Sequence, residues 1–288
     1  VTSPASRPDS EAIARELALR VLAEDGPADI TSDIVAAAGR EATGRLEFRS
    51  GGVLAGRRYA TAVAQLCELA TDWEIEDGTL VPAHTTVCGV RGDLAAILRA
   101  ERPMLNLLQR ACGIATAARA VVEALAGTGC RVLHTRKTAP GLRWLDVDAV
   151  LAGGGMQHRL GLADVVLVKD NHWHVLAEGS GDLKRALDRA RSRGVNQLYV
   201  EVESVDQVKT ACAAGATRLL IDNQPPDVVK QWCAIARSSN PEIEVEASGG
   251  LTVDNVRAYA ESGVDFVSLG ALTHSVQAAD LALEIIHL

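Results

Sequence analysis

Residues 214–222 read AGATRLLID, and residues 262–270 read SGVDFVSLG. In each, a glycine closes a helical segment and a short apolar run follows at once. Glycine just past a helix C-terminus adopts the left-handed conformation that ends the helix at little cost, so both stretches read as helix, stop, strand. The rhythm holds from Gly129 onward. Apolar runs CRVLHT (130–135), ADVVLVKD (163–170), QLYVEVE (197–203), TRLLID (217–222), EIEVEAS (242–248) and VDFVSLG (264–270) alternate with patterns such as GDLKRALDRARSRG and TVDNVRAYAESG. Such alternation implies a parallel sheet with right-handed crossovers. Six strands in strict alternation point to an α/β barrel, either incomplete, since a full one has eight strands, or completed by strands the pattern does not reveal, with a doubly wound open sheet as the alternative.

The first third follows another rhythm. It opens with a helix, SEAIARELALRVLAEDG (10–26). Strand-like ATGRLEFRS (42–50) and GGVLAG (51–56) follow, then a helix, RRYATAVAQLCELA (57–70), then TLVPAHTTVCGVRGD (79–93). That is a mixed, antiparallel-leaning α+β pattern. Residues 94–127 are helical by pattern, with Asp93 as N-cap and Pro103 marking a kink or a fresh start near Arg102. The expected organisation is an N-terminal mixed α+β domain over 1–115 and an incomplete parallel α/β barrel over 116–275. A C-terminal helix over 276–288 would pack back on the N-terminal domain.

Composition narrows the function. Among 288 residues the formal net charge is −8, which disfavours nucleic acid, whose affinity comes largely from Lys and Arg on phosphates. No apolar run approaches the roughly 20 residues of a membrane span, and no secretion signal is recognisable at the start. The six cysteines form no CxxC pair. They read as reduced thiols in a cytoplasmic protein rather than as a zinc site.

Parallel α/β folds bind ligands at the carboxyl ends of their strands, so the ends of the runs form an inventory. The first run ends in Thr135, Arg136 and Lys137. His158 and Arg159 precede the second, which ends at Lys169. The third carries Glu201 and Glu203 on one face, and their spacing alone does not choose between them. The fourth ends in Asp222 and Asn223, where a rival role is to cap the turn before Pro225. The fifth ends in Ser248-Gly249-Gly250, a phosphate cradle in form if a helix begins at Thr252 or Val253. Gly270 ends the sixth. Cations on one side, glycines on the other and carboxylates between suit a sugar phosphate beside a second anion. The carboxylates would bond ribose hydroxyls, hold Mg²⁺, or stabilise positive charge at an anomeric carbon.

The segments ERPMLNLLQRACGIAT (101–116), HTRKTAPGLR (134–143), GGGMQHRLGLADVVLVKDNH (153–172), EVE (201–203), LLIDN (219–223) and VEASGGLTVDNV (245–256) together resemble quinolinate phosphoribosyltransferase, the carboxylating nicotinate-nucleotide pyrophosphorylase family. The resemblance implies that quinolinate and 5-phosphoribosyl-1-pyrophosphate, with Mg²⁺, give nicotinate mononucleotide, pyrophosphate and CO₂ in NAD biosynthesis. It implies that Thr135, Arg136, Lys137, His158, Arg159 and Lys169 bind quinolinate and its surroundings. Arg102 would reach in from the other subunit of a homodimer with shared active sites. Lys137, Glu201 and Asp222 would be catalytic, Glu201 and Asp222 facing the ribose and its Mg²⁺-pyrophosphate. Ser248, Gly249, Gly250 and Gly270 would take the 5′-phosphate. Rival readings are a nicotinate-type or molybdenum-linked phosphoribosyltransferase, a Schiff-base enzyme using Lys169, and a non-catalytic barrel that binds phosphorylated metabolites.

Overall fold

A computed structural model describes residues 9–35, 39–178 and 182–288; the first eight residues of the expected N-terminal domain lie outside the described set. The chain divides into two compact units. One comprises the described residues of 7–119, 137–155 and 272–288, and the other those of 120–136 and 156–271.

In the first unit, α1 (Ser10–Glu24) and α2 (Ile30–Val35) precede β1 (Glu41–Phe48), β2 (Gly52–Val53), α3 (Arg57–Leu66), β3 (Ala70–Trp73), β4 (Leu80–Val81) and β5 (Thr85–Asp93). Strand β1 buries Ala42, Leu46 and Phe48, the alternate residues of a half-buried strand. Helix α4 (Leu94–Ala124) follows directly. Asp93 caps it, its Oδ1 accepting from the N–H groups of Ala95 and Ala96 at 3.0 and 3.2 Å. Pro103 neither ends nor restarts this helix. The missing backbone donor is offset by packing: Met104, Leu105, Leu107, Leu108, Ala111 and Cys112 on the following turns are all buried. Helix α5 (Arg143–Ala152) also belongs to this unit.

The second unit holds all six strands read from the sequence: β6 (Arg131–Leu133), β7 (Val166–Val168), β8 (Leu198–Val202), β9 (Arg218–Asp222), β10 (Glu244–Ser248) and β11 (Phe266–Ser268). Helices α6 (Asp170–Glu178), α7 (Leu183–Ser192), α8 (Val205–Ala214), α9 (Pro226–Ser239) and α10 (Val256–Glu261) alternate with them; α11 (Ala271–His274) follows β11 and, past Ala271, belongs to the first unit. The sheet is parallel, in the order β6-β11-β10-β9-β8-β7. A doubly wound sheet reverses direction at an inner strand. Here every neighbour is sequential except β6 beside β11, the first strand beside the last. That is a circle opened between β6 and β7, an incomplete barrel. Leu198, Val200, Val202, Leu219, Ile221, Val245 and Val267 are all buried and fill one face of the sheet, and the other face carries the polar residues described below.

The C-terminal segment corrects an expectation. Instead of a helix over 276–288, Leu281–His287 forms β12, antiparallel to β1 with Leu283 opposite Leu46 and Leu281 opposite Phe48. The four-stranded sheet therefore runs β12-β1-β5-β3. Leu281, Leu283 and Ile285 alternate, and pairing with a strand far upstream overrides the helical tendency of the Ala-rich segment before them.

Candidate active site

Residues opposite one another in a parallel ladder point to the same face. Register pairs Tyr199 with Arg218, Glu201 with Leu220, Leu220 with Glu246, and Glu246 with Phe266. One step further along the strands, Asp222 pairs with Ser248 and Ser248 with Ser268. Asp222, Ser248 and Ser268 thus share the inner face of the open barrel near its strand ends, with Glu201 on the same face one layer below them, level with Glu246. Tyr199, Arg218, Glu246 and Phe266 lie deeper on that face.

Glu201 is buried, and Lys169 Nζ, just past β7, pairs with its Oε2. Trp173 Nε1 donates to the Glu201 carbonyl at 2.8 Å. Glu203 is exposed, and its N–H donates to Gln207 Oε1 at 2.7 Å. Of the two carboxylates left open by their spacing, Glu201 is the enclosed one. Lys169 Nζ is thus engaged by a carboxylate rather than presented open to a carbonyl substrate, as a Schiff-base nucleophile would be.

Asp222 does not cap the helix that follows, because α9 begins after Pro225 without a side-chain cap. Its Oδ2 instead accepts from Asn223 Nδ2 at 2.6 Å. The Asn223 N–H donates to Ser248 O at 2.9 Å, tying this turn to the glycine loop. The helix expected from Thr252 or Val253 starts only at Val256 and runs six residues. A single turn leads into it from Thr252, whose carbonyl accepts from the Val256 N–H at 3.0 Å; Asn255 Oδ1 accepts from Thr252 N–H at 2.8 Å and its Nδ2 donates to Gly250 O at 3.1 Å. A helix dipole is therefore not the loop's contribution. It offers an anion the Ser248 hydroxyl and the backbone of Gly249 and Gly250, both at positive φ (+86° and +62°). Gly270, half-buried, follows β11 on the neighbouring strand.

Below these groups lies a charged floor that sequence reading missed. Arg218 is 7% exposed, and its guanidinium carbon sits 4.4 Å from the Tyr199 ring centre and 4.2 Å from that of Phe266. Its Nε and Nη2 donate to Glu244 Oε2 at 2.9 and 2.7 Å, and its Nη1 to Glu246 Oε2 at 3.3 Å. Glu246 is 1% exposed. Burial pushes its carboxyl up, but the His158 ring, the Ser268 hydroxyl and Arg218 together outweigh burial and hold it below its ordinary value. A signal was present: an arginine opening an apolar strand, and glutamates at alternate positions of EVEAS.

His158 belongs to this floor. Its Nδ1 accepts the Arg159 N–H at 2.7 Å, and its Nε2 stands 3.2 Å from Glu246 Oε2, off the line of a hydrogen bond. Both ring nitrogens face protein atoms, so the ring orients the backbone of Arg159. His134 is buried as well, its N–H donating to Met156 O at 3.2 Å.

The cations that remain face one another. Arg136 and Arg159 are half-buried, and Arg136 Nε is enclosed without a hydrogen-bond partner among the described residues. Burial lowers the proton affinity of Arg159 and the neighbouring charge of Arg136 lowers it further, with Asp164 and Glu201 only partly compensating. Two guanidiniums held this way call for an anion with two acceptors. Thr135, half-buried, leads into the pair. Lys137 and Arg102 lie in the other compact unit. Lys137 is exposed there, and Arg102 lines a groove of about 310 Å³ with Arg49, Gln109 and Glu284.

No cluster of three or more His, Cys, Asp or Glu side chains able to hold a metal occurs among the described residues. Asp222 and Glu201 carry carboxylate oxygens on neighbouring strands, one Glu201 oxygen being paired with Lys169. That set fits Mg²⁺ of the kind completed by substrate phosphates and water.

Comparisons with known proteins agree along nearly the whole chain. The family description "Quinolinate phosphoribosyl transferase, N-terminal domain" matches residues 29–112, and its C-terminal counterpart matches 114–284. A carboxylating nicotinate-nucleotide pyrophosphorylase of Mycobacterium leprae is 38% identical over 281 residues, covering 94% of this chain and 97% of that protein. The human protein of the same name is 36% identical over 268 residues, covering 92% and 89%. A solved nicotinate-nucleotide pyrophosphorylase from Francisella tularensis superposes with a TM-score of 0.89 at 31% identity, covering 99% of this chain and all of that one.

Proposed function

This chain belongs to the quinolinate phosphoribosyl transferase family, and we propose that it transfers a phosphoribosyl group from 5-phosphoribosyl-1-pyrophosphate to quinolinate with loss of CO₂. The product is nicotinate mononucleotide, an intermediate of NAD biosynthesis. The observation that carries the reading is the pair Arg136 and Arg159, half-buried and electrostatically opposed, with Arg136 Nε enclosed and unpartnered among the described residues. Quinolinate's two adjacent carboxylates supply the missing counter-charge, and a guanidinium fork matches a carboxylate better than an ammonium does.

In this reading the 5′-phosphate rests on Ser248, Gly249, Gly250 and Gly270. Glu201 and Asp222 face the ribose and would hold Mg²⁺, which when bound neutralises pyrophosphate charge. The bond from the anomeric carbon to pyrophosphate breaks, and positive charge develops on the ribose beside these two carboxylates. Lys137 meets the departing pyrophosphate as a point charge. The pyridine nitrogen, aligned by Arg136, Arg159, Lys169 and Thr135, then bonds to that carbon. The resulting pyridinium accepts the electron pair released as the adjacent carboxylate leaves as CO₂, and a proton from solvent takes its place. His158 contributes through Arg159. We assign Arg102 to the active site of a second copy in a homodimer. A cytoplasmic location suits six cysteines that are all free.

The test is product formation from quinolinate, 5-phosphoribosyl-1-pyrophosphate and Mg²⁺. One CO₂ should appear per nicotinate mononucleotide, and chelation of Mg²⁺ should stop both. Nucleotide formed without CO₂, or no product at all, would refute the assignment. Sedimentation should show a dimer.

A further inference from the structure

The loop that carries Lys137 is tied down by a buried network within its own unit. Asp146, on the first turn of α5, is fully buried. Arg110 of α4 grips it with a two-pronged pair, Nε to Oδ1 at 2.7 Å and Nη2 to Oδ2 at 2.8 Å. The same Nη2 donates to Thr273 O at 2.9 Å. From these anchors two bonds reach the loop: Ala139 N–H donates to Asp146 Oδ2 at 3.0 Å, and Thr273 Oγ1–H donates to Lys137 O at 2.8 Å. Only Thr138 lies between the two points held.

Burying an ion pair is a poor route to stability, since apolar groups of similar volume usually serve as well or better. What the pair supplies is direction. A fork fixes the Asp146 carboxylate in plane, the carboxylate fixes the Ala139 amide, and Thr273 fixes the Lys137 carbonyl. Lys137 has a flexible stem, so the position of its backbone governs where its charge can be delivered, and misplacement is costly in rate.

We propose that Arg110, Asp146 and Thr273 are positioning residues for phosphoribosyl transfer, acting solely by holding Lys137. The inference rests on the role given to Lys137 above. The decisive variant is Thr273→Val, which keeps side-chain volume and the Thr273 carbonyl that Arg110 uses. On the full-length protein it should lower kcat roughly 3- to 10-fold, the rate equivalent of one hydrogen bond. Its KM for quinolinate should stay at wild type, its melting temperature should fall by no more than one buried hydrogen bond accounts for, and Thr273→Ser should restore both kcat and stability. In a Lys137→Ala background Thr273→Val should cost nothing further. Arg110→Lys, which keeps the charge but loses the fork, should lose more than Thr273→Val and likewise be silent in Lys137→Ala. Wild-type kcat in Thr273→Val, or an equal fractional loss with and without Lys137, would overturn the proposal. A wild-type protein that forms no product would overturn the functional reading first, before any variant is compared.

Discussion

Replacing Gly249 by alanine strikes the phosphate loop at its tightest point. At φ +86° a residue with a side chain is disfavoured by about 1–2 kcal/mol. The added Cβ would stand 2.8 Å from Asn223 N and closer still to the Asn223 side chain. That amide cannot withdraw freely, because it donates to Ser248 O at 2.9 Å and Asn223 itself sits at φ +53°. Overpacking of this kind costs about 1–3 kcal/mol, so strain and overlap together come to about 2–5 kcal/mol. A domain with about 5–15 kcal/mol of stability survives that loss, but with a lower urea midpoint. Trp173 and Trp232, in the same unit, report the transition by fluorescence. If the loop relieves the strain by moving, the cost falls on the 5′-phosphate. KM for 5-phosphoribosyl-1-pyrophosphate should then rise at least roughly tenfold, the equivalent of one lost charge-assisted bond. KM for quinolinate should not change. A variant with both the wild-type midpoint and the wild-type KM for the sugar phosphate would refute the geometry assigned to this loop.

Three other perturbations follow from the same site. Arg136→Ala should weaken quinolinate binding roughly 10- to 100-fold by calorimetry, the range for lost bonds to a charged group, while sparing the sugar phosphate; unchanged affinity for both would exclude Arg136 as a ligand. Arg218→Met strands Glu246 at 1% exposure and should cost about 3–5 kcal/mol in urea unfolding; a loss below about 1 kcal/mol would mean that the floor network does not hold the charge. Glu246→Gln tests the linkage to pH. The folded carboxyl titrates below its unfolded value of about 4.5, so its charged form stabilises the protein above that pH, and this contribution disappears as pH falls through the depressed value. The variant should be less stable at pH 7 and lose less on acidification below about pH 4.5. Parallel stability curves for the two proteins would contradict this.

How far the sequence could be read depended on where each constraint originates. The six parallel strands were legible because each is a short run rich in apolar residues bounded by a helix and a turn, signals contained within a dozen residues. Strand-end residues could be named for the same reason, and chain alternation put Glu201 and Glu203 on one face. Only burial, with the Lys169 contact, separated them. The C-terminal strand was misread as a helix because its partner, β1, lies more than two hundred residues away. Arg218 escaped notice since its meaning comes from Tyr199, Glu244, Glu246 and Phe266 on three other strands. At Thr252 the chain does turn, its carbonyl accepting the Val256 N–H, but the regular helix runs only from Val256 to Glu261. His158 could be named as a residue beside the substrate from its place in the chain, but not its contacts, the Arg159 N–H on Nδ1 and Glu246 Oε2 at 3.2 Å from Nε2.

The central claim is that paired guanidiniums at Arg136 and Arg159 select an acceptor with two carboxylates. Competition between quinolinate and nicotinate in one reaction with 5-phosphoribosyl-1-pyrophosphate and Mg²⁺ tests it most directly, read as the ratio of kcat/KM values. The account expects quinolinate to be favoured at least roughly a hundredfold, since nicotinate leaves part of the cation pair unmatched in a half-buried site. A nicotinate kcat/KM equal to or above that of quinolinate would leave the barrel and its glycine loop standing and contradict the role given to the two arginines.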